Sequence, residues 1–166
     1  GRNSMTTSDT SVVLWRSSVS PYTVVDSARS VISSNGTASI SFLNAVSGTP
    51  YYIVIKHRNT IETWSAAPLS FNGGSLSYNF SASAASADGY NLKQVDASPV
   101  KFALYSGDVN KDGTIDLNDV IQIYNGANTF LTGYVVTDLT GNYVVDLTDL
   151  LMAYNNSVNF VSVIRP

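Results

Sequence analysis

The 166-residue chain is 44% hydrophobic, 11% aromatic and 13% charged, with a formal net charge of −3 and no cysteine. That composition belongs to a folded chain with a core, and the small net charge gives no reason to expect a nucleic-acid or membrane partner. No apolar run approaches the roughly 18 residues of a membrane span, and without Cys neither disulfides nor thiolate zinc sites can form.

Gly1-Arg2-Asn3-Ser4-Met5 reads as a cloning remnant, so the chain is expected to be an excised piece without a signal peptide. Ser11 to Arg16 is a short apolar run, and Ser20-Pro21-Tyr22 marks a turn after it. Tyr22 to Val25 and Ala28 to Ile32 follow as strand candidates, then the turn signal Asn35-Gly36. Ala38, Ile40 and Phe42 alternate with Ser39 and Ser41, the pattern of a half-buried strand. Tyr51 to Ile55 is continuously apolar and rich in β-branched and aromatic residues, as a central strand should be. Arg58-Asn59 breaks the run before Ile61 to Trp64, which predicts a hairpin with His57 and Glu62 facing each other across it. Asn72-Gly73-Gly74 is a further turn, followed by a strand over Leu76 to Phe80; Val100 to Tyr105 reads as strand too. Strands and turns at this spacing predict a mostly β, antiparallel sandwich.

Charge divides the chain. Residues 1–104 carry seven Lys/Arg against five acids, whereas residues 105–166 carry seven Asp and only Lys111 and Arg165. The shift places a boundary near Tyr105 and predicts a β-sandwich over 8–104 and a smaller, helical unit over 105–166.

Laying the tail on itself shows a repeat of period 30: Asp108 to Asn125 matches Asp138 to Asn155, and all seven tail acids fall inside the two windows. Calcium chemistry accounts for the spacing. The ion takes six to eight oxygens, and a 12-residue loop supplies them from positions 1, 3, 5, 7, 9 and 12, with Gly at 6 for the sharp turn. In loop one these are Asp108, Asn110, Asp112, Thr114 (through its carbonyl), Asp116 and Asp119, with Gly113 at position 6. Ile115, at position 8, is expected to turn inward and pair with its mate in the other loop. In loop two the ligands are Asp138, Thr140, Asn142, Val144 (through its carbonyl), Asp146 and Asp149. There one carboxylate has become an amide, one amide a hydroxyl, and position 6 is Tyr143, which tolerates a positive φ less well than Gly. Weaker binding is expected in loop two, with a metal-free structural half as the alternative. Val120, Ile121, Ile123 and Tyr124, then Leu150, Leu151 and Tyr154, give each loop a following apolar stretch with helical potential.

Gly107-Asp108-Val-Asn-Lys-Asp-Gly-Thr-Ile-Asp resembles the loop opening of dockerins, as do Asp at position 12 of both loops and a strand rather than a helix before loop one. The resemblance covers about residues 106–160. It implies a small α domain with two EF-hand-type loops, binding of Ca²⁺, and attachment to a cohesin-like protein in an extracellular scaffold of the cellulosome kind. Family partner contacts fall at positions 10 and 11 and on the helix behind, here Leu117, Asn118 and Tyr124, then Leu147, Thr148 and Tyr154. The family's Ser-Thr and Lys-Arg pairs are absent from these places. The N-terminal unit resembles the X module or another immunoglobulin-like or transthyretin-like sandwich, which implies support of the dockerin.

No catalytic frame accompanies the lone His57, and five scattered acids in the N-terminal unit make a poor glycosidase pair, so no enzyme is expected. Two other readings stand beside partner docking. One is a calcium-stiffened segment of a surface adhesin, which would bury Leu117, Leu147, Tyr124 and Tyr154 against the sandwich. The other is a carbohydrate-binding sandwich, which would expose a row of Trp15, Trp64 or Tyr.

Overall fold

Strand β1 (Asp9–Ser17) pairs antiparallel with β2 (Val24–Ile32) on one side and β3 (Tyr51–His57) on the other, and β4 (Thr63–Trp64) extends the order to β2-β1-β3-β4. The computed structural model describes residues 8–166; the stretch read as a cloning remnant lies outside them. Val13, Leu14 and Trp15 are buried in succession, so both faces of the sheet are covered at β1. The register sets Leu14 opposite Val54 and Val54 opposite Trp64, and Tyr22 and Tyr52 pack on this face. One residue on, Trp15 turns to the other face, where its ring lies 5.0, 5.0 and 5.3 Å from those of Phe42, Tyr51 and Phe71.

Tyr51 belongs to β3, but Phe42 and Phe71 come from segments outside the sheets. Residues 38–42 and 76–80, expected as strands, have no ladder partner. Side chains hold the first of these regions instead: the Asp26 carboxylate accepts from the N–H groups of Leu43 and Asn44 at 2.7 and 2.8 Å, and the Ser30 hydroxyl donates to the Ser39 carbonyl at 3.0 Å. Tyr22 to Val25 and Ala28 to Ile32, expected as two strands, are largely one, β2. A second sheet is the antiparallel ribbon of β5 (Lys93–Ala97) and β6 (Val100–Ala103). The chain is thus mostly β over its first hundred or so residues, with two sheets.

His57 and Glu62 do not face each other. Thr63 rather than Glu62 enters the ladder, so His57 turns to Asp9 (Nε2 to Oδ2, 2.9 Å) and Glu62 to Lys56 (2.8 Å) and the Trp64 indole (2.7 Å).

Two helices follow, α1 (Leu117–Asn128) and α2 (Leu147–Ser157). Each starts at a capping box: Asp116 and Asp146 cap, and Asp119 and Asp149 answer from the third helical position. Ile123 and Ala153 meet between the helices with Val109, Leu139 and Val145. A separate cluster of Ile61, Ile115 and Val161, flanked by Tyr105 and Val163, joins the sheet region to loop one.

The repeats are interlocked. The second half of loop one pairs with the segment behind α2: Ile115 N–H donates to the Val161 carbonyl at 2.8 Å, and Val163 N–H to the Gly113 carbonyl at 2.8 Å. In loop two, Val145 N–H donates to the Leu131 carbonyl behind α1 at 2.9 Å, and Gly133 N–H to the Tyr143 carbonyl at 2.9 Å. Ile115 does turn inward, but its backbone partner is Val161 and not its mate Val145, which pairs with Leu131 instead.

Candidate functional site: two loops and the turn between them

Both loops are drawn together by the acid at position 12. Asp119 Oδ1 accepts from Val109 and Asn110 N–H at 2.9 and 3.2 Å, and its Oδ2 from Asp116 N–H at 3.0 Å. Asp149 repeats the set with Leu139, Thr140 and Asp146 at 2.8, 2.9 and 2.9 Å. Each loop also needs left-handed residues at positions 4 and 6. Loop one uses Lys111 and Gly113 (φ 66° and 91°), loop two Gly141 and Tyr143 (φ 74° and 66°). Tyr143 carries the positive φ that makes it costly, yet Lys111 carries an equal one, so backbone strain does not separate the loops. Gly107, ahead of loop one, is a stricter requirement: at φ 129° an added Cβ would stand 2.8 Å from Ile115 Cγ2 and 3.3 Å from the Ala153 Cα.

Position 1 is where the loops differ. Asp108 is 2% exposed, and its Oδ1 has no hydrogen-bond partner. Burial pushes this carboxyl above its usual pKa. A buried, unpartnered carboxylate oxygen calls for a cation. In the same loop Asn110 donates to Asp112 at 2.8 Å, Asp112 accepts from Thr114 N–H at 2.9 Å, and Asp116 is turned to its cap contact with Asn118 N–H at 2.7 Å. Among the described residues, no three acid or histidine side chains converge as they stand into a metal cluster. The donor set of loop one, carboxylates with an amide and a backbone carbonyl, nevertheless suits a hard cation, and Asp108 Oδ1 is the group left wanting one.

Asp138 in loop two is fully engaged. Its Oδ1 accepts from the Thr140 hydroxyl and from Gly141 and Asn142 N–H at 3.2, 2.8 and 3.2 Å, and its Oδ2 from Tyr143 N–H at 3.0 Å. The Arg58 guanidinium lies 3.7 Å from the same Oδ2. Asn142 is occupied by Val144 N–H at 2.8 Å, and Asp146 by Thr148 N–H at 2.7 Å.

The β3–β4 turn sits against both loops. Lys111 Nζ donates to the carbonyls of His57 and Thr60 at 2.6 and 2.9 Å, while Asn59 Nδ2 donates to the Asp138 carbonyl at 2.8 Å. Arg58 also donates to the Val135 carbonyl and, from Nε, to Asp9 at 2.9 Å, and its guanidinium lies 4.6 Å from the centre of the Tyr134 ring. Burial would raise the Asp9 carboxyl, but hydrogen bonds from Tyr134 and Arg58 and the neighbouring His57 outweigh it and hold its pKa at about 2. His57 is pushed below its usual pKa, chiefly by burial. Sequence reading took Arg58-Asn59 only as a break between strands. Their role depends on contacts 77 to 80 residues away in sequence, which no local pattern announces.

The partner-contact candidates form an exposed face. Leu117 is 67%, Leu147 70%, Tyr124 54% and Tyr154 52% exposed, and Asn118 and Thr148 stand in the same first helical turns. Ile121 and Leu151 add to them, as do Phe130 and Phe160 at matching positions behind the helices. A shallow groove lined by Tyr124, Ala127, Phe130, Val144, Leu147 and Leu150 runs beside the start of α2. Trp15 and Trp64 are buried and offer no stacking platform. Among the described residues no helix is long and apolar enough to cross a membrane.

No protein-family model matches the chain, and neither does any curated protein. Among solved structures the chain resembles two interface mutants, one N-terminal and one C-terminal, of a type II cohesin–X-dockerin complex from Acetivibrio cellulolyticus. The TM-scores are 0.52 and 0.51, at 20% identity in each case, covering 90% of this chain and 81% of the matched one. At that identity the likeness is one of fold.

Proposed function

We propose that the chain is a non-catalytic module that attaches to a protein partner of the cohesin kind through the exposed faces of α1 and α2, and that loop one holds Ca²⁺ through Asp108, Asn110, Asp112, the Thr114 carbonyl, Asp116 and Asp119. The observation that carries the docking reading is the exposure of Leu117, Leu147, Tyr124 and Tyr154, which the neighbouring sheet leaves uncovered. Apolar residues repeated on two helices in this way form the kind of surface that a partner buries. The fold shared with chains of cohesin–X-dockerin complexes supports the same reading and, with it, an extracellular scaffold setting. The ion's contribution is charge: it would compensate the buried Asp108 carboxylate and fix the start of α1, and with it Leu117 and Asn118. The sheet unit acts as a brace, through Lys111, Asn59 and the Ile61–Ile115–Val161 cluster.

The test is a pulldown with purified type II cohesins, in calcium and in chelator, of the wild type and of a Leu117→Asp/Leu147→Asp variant. Calcium-dependent capture lost in the variant supports the reading. Equal capture of both proteins sinks the assigned face, and no capture by any cohesin sinks the partner class.

A further inference from the structure

We propose that loop two is not a calcium site: the Arg58 guanidinium from the β3–β4 turn is its resident cation, so the chain binds one ion and not two. The inference revises the expectation of a second, weaker ion, and it refines the calcium reading of loop one.

Three observations carry it. First, both oxygens of Asp138 are already satisfied by four donors from its own loop, whereas Asp108 at the same position retains a buried oxygen with no partner. Asp108 also meets the Lys111 and Gly113 N–H groups, so the difference lies in its one unbonded oxygen, a free donor for an ion that Asp138 does not offer. Second, a positive charge is already beside Asp138. The Arg58 side chain is 11% exposed, stands 3.7 Å from Asp138 Oδ2 and 2.9 Å from Asp9, donates to the Val135 carbonyl, and lies over the Tyr134 ring. A guanidinium anchored at several points is poorly placed to swing away for a metal. Third, the basic residue of loop one is directed elsewhere. Lys111 sends its ammonium to the carbonyls of His57 and Thr60 and attracts Asp108 only through space, without forming an ion pair. The donor sets agree with this division: loop one has four carboxylates, and loop two has three plus a hydroxyl and an amide.

Arg58 therefore does inside the protein what calcium would do from solution, and it brings the sheet unit with it. Loop two takes its countercharge from the neighbouring unit, while loop one is open to regulation by calcium.

A calorimetric Ca²⁺ titration of the chelator-stripped chain, with Asp108→Ala and Asp138→Ala variants, separates the outcomes. The expected result is one ion in the wild type, none in Asp108→Ala, and one with affinity changed less than threefold in Asp138→Ala. Two ions in the wild type, one of them lost in Asp138→Ala, overturn the inference and leave the calcium reading standing. No ion in the wild type overturns the calcium reading alone. The guanidinium is then judged in chelator by melts of Arg58→Met, Asp138→Asn and the double variant, with Arg58→Lys as a milder replacement. A double-variant shift clearly smaller than the sum of the single shifts supports the pairing, and additive shifts overturn it.

Discussion

Loop one opens on an aspartate that meets two N–H groups of its loop yet keeps one buried oxygen unbonded; loop two opens on an aspartate with both oxygens bonded by its own loop and faced by an arginine from another part of the chain. The backbone of both loops is nevertheless drawn the same way, because Asp119 and Asp149 accept the same three N–H groups. Loop shape and cation demand are thus separable. The acid at position 12 sets the first, and the surroundings of position 1 decide the second. A spacing of acids in sequence specifies the donors and says nothing of which cation answers them.

The contrast can be broken from either side. The largest effect should come from Arg58→Met, which leaves Asp138 and Asp9 without their shared buried countercharge; denaturant unfolding in chelator should show a loss of about 3–5 kcal/mol. A loss below about 1 kcal/mol would remove Arg58 from the account of loop two. Next comes Ile115→Ala, fully buried between Ile61 and Val161, with an expected cost of about 2–5 kcal/mol. That change should weaken Ca²⁺ binding as well, since it loosens loop one alone. Calcium itself should stabilise the wild type by about 2.7 kcal/mol at a free concentration one hundred times Kd. The gain should vanish in Asp108→Ala and persist in Asp138→Ala, as read by thermal melts with and without chelator.

Acid sharpens the comparison on the Arg58 side. Asp9 is held at about 2, below its unfolded value of 3.8. Its contribution is therefore complete above the unfolded value and lost as pH falls through the folded one. Melting temperatures in chelator should drop over that window, and an Asp9→Asn variant should show a shallower drop. The smallest effect on stability belongs to Leu117→Asp and Leu147→Asp: both sites are exposed, so unfolding should shift by no more than about 0.5 kcal/mol while partner capture is lost.

Much of this architecture could be read from the residues. The apolar runs at Ser11 to Arg16 and Tyr51 to Ile55 are the two central strands, because β-branched and aromatic residues covered on both faces leave few alternatives. The apolar stretches behind the loops marked both helices but not their first residues, which are set by the acid at position 9 of each loop acting as the N-cap. Alternation misled at 38–42, where Ser and Ala have too little side chain to hold a strand on a sheet and hydrogen bonds from Asp26 and Ser30 compete. Arg58 was illegible for a different reason. Its meaning comes from Asp9 on one side and Asp138 on the other, and only folding brings the three together.

The interlocked repeats also bear on how the module is made. Gly113 and Ile115 are paired with Val163 and Val161, so loop one gains its backbone partners only after the second repeat has been synthesised in full. A nascent chain halted within α2 would hold every candidate ligand of loop one and the Asp119 contacts that draw it, and still lack the two backbone bonds that fix Gly113 and Ile115. The fixing of loop one, and of Leu117 and Asn118 behind it, thus depends on the whole tail.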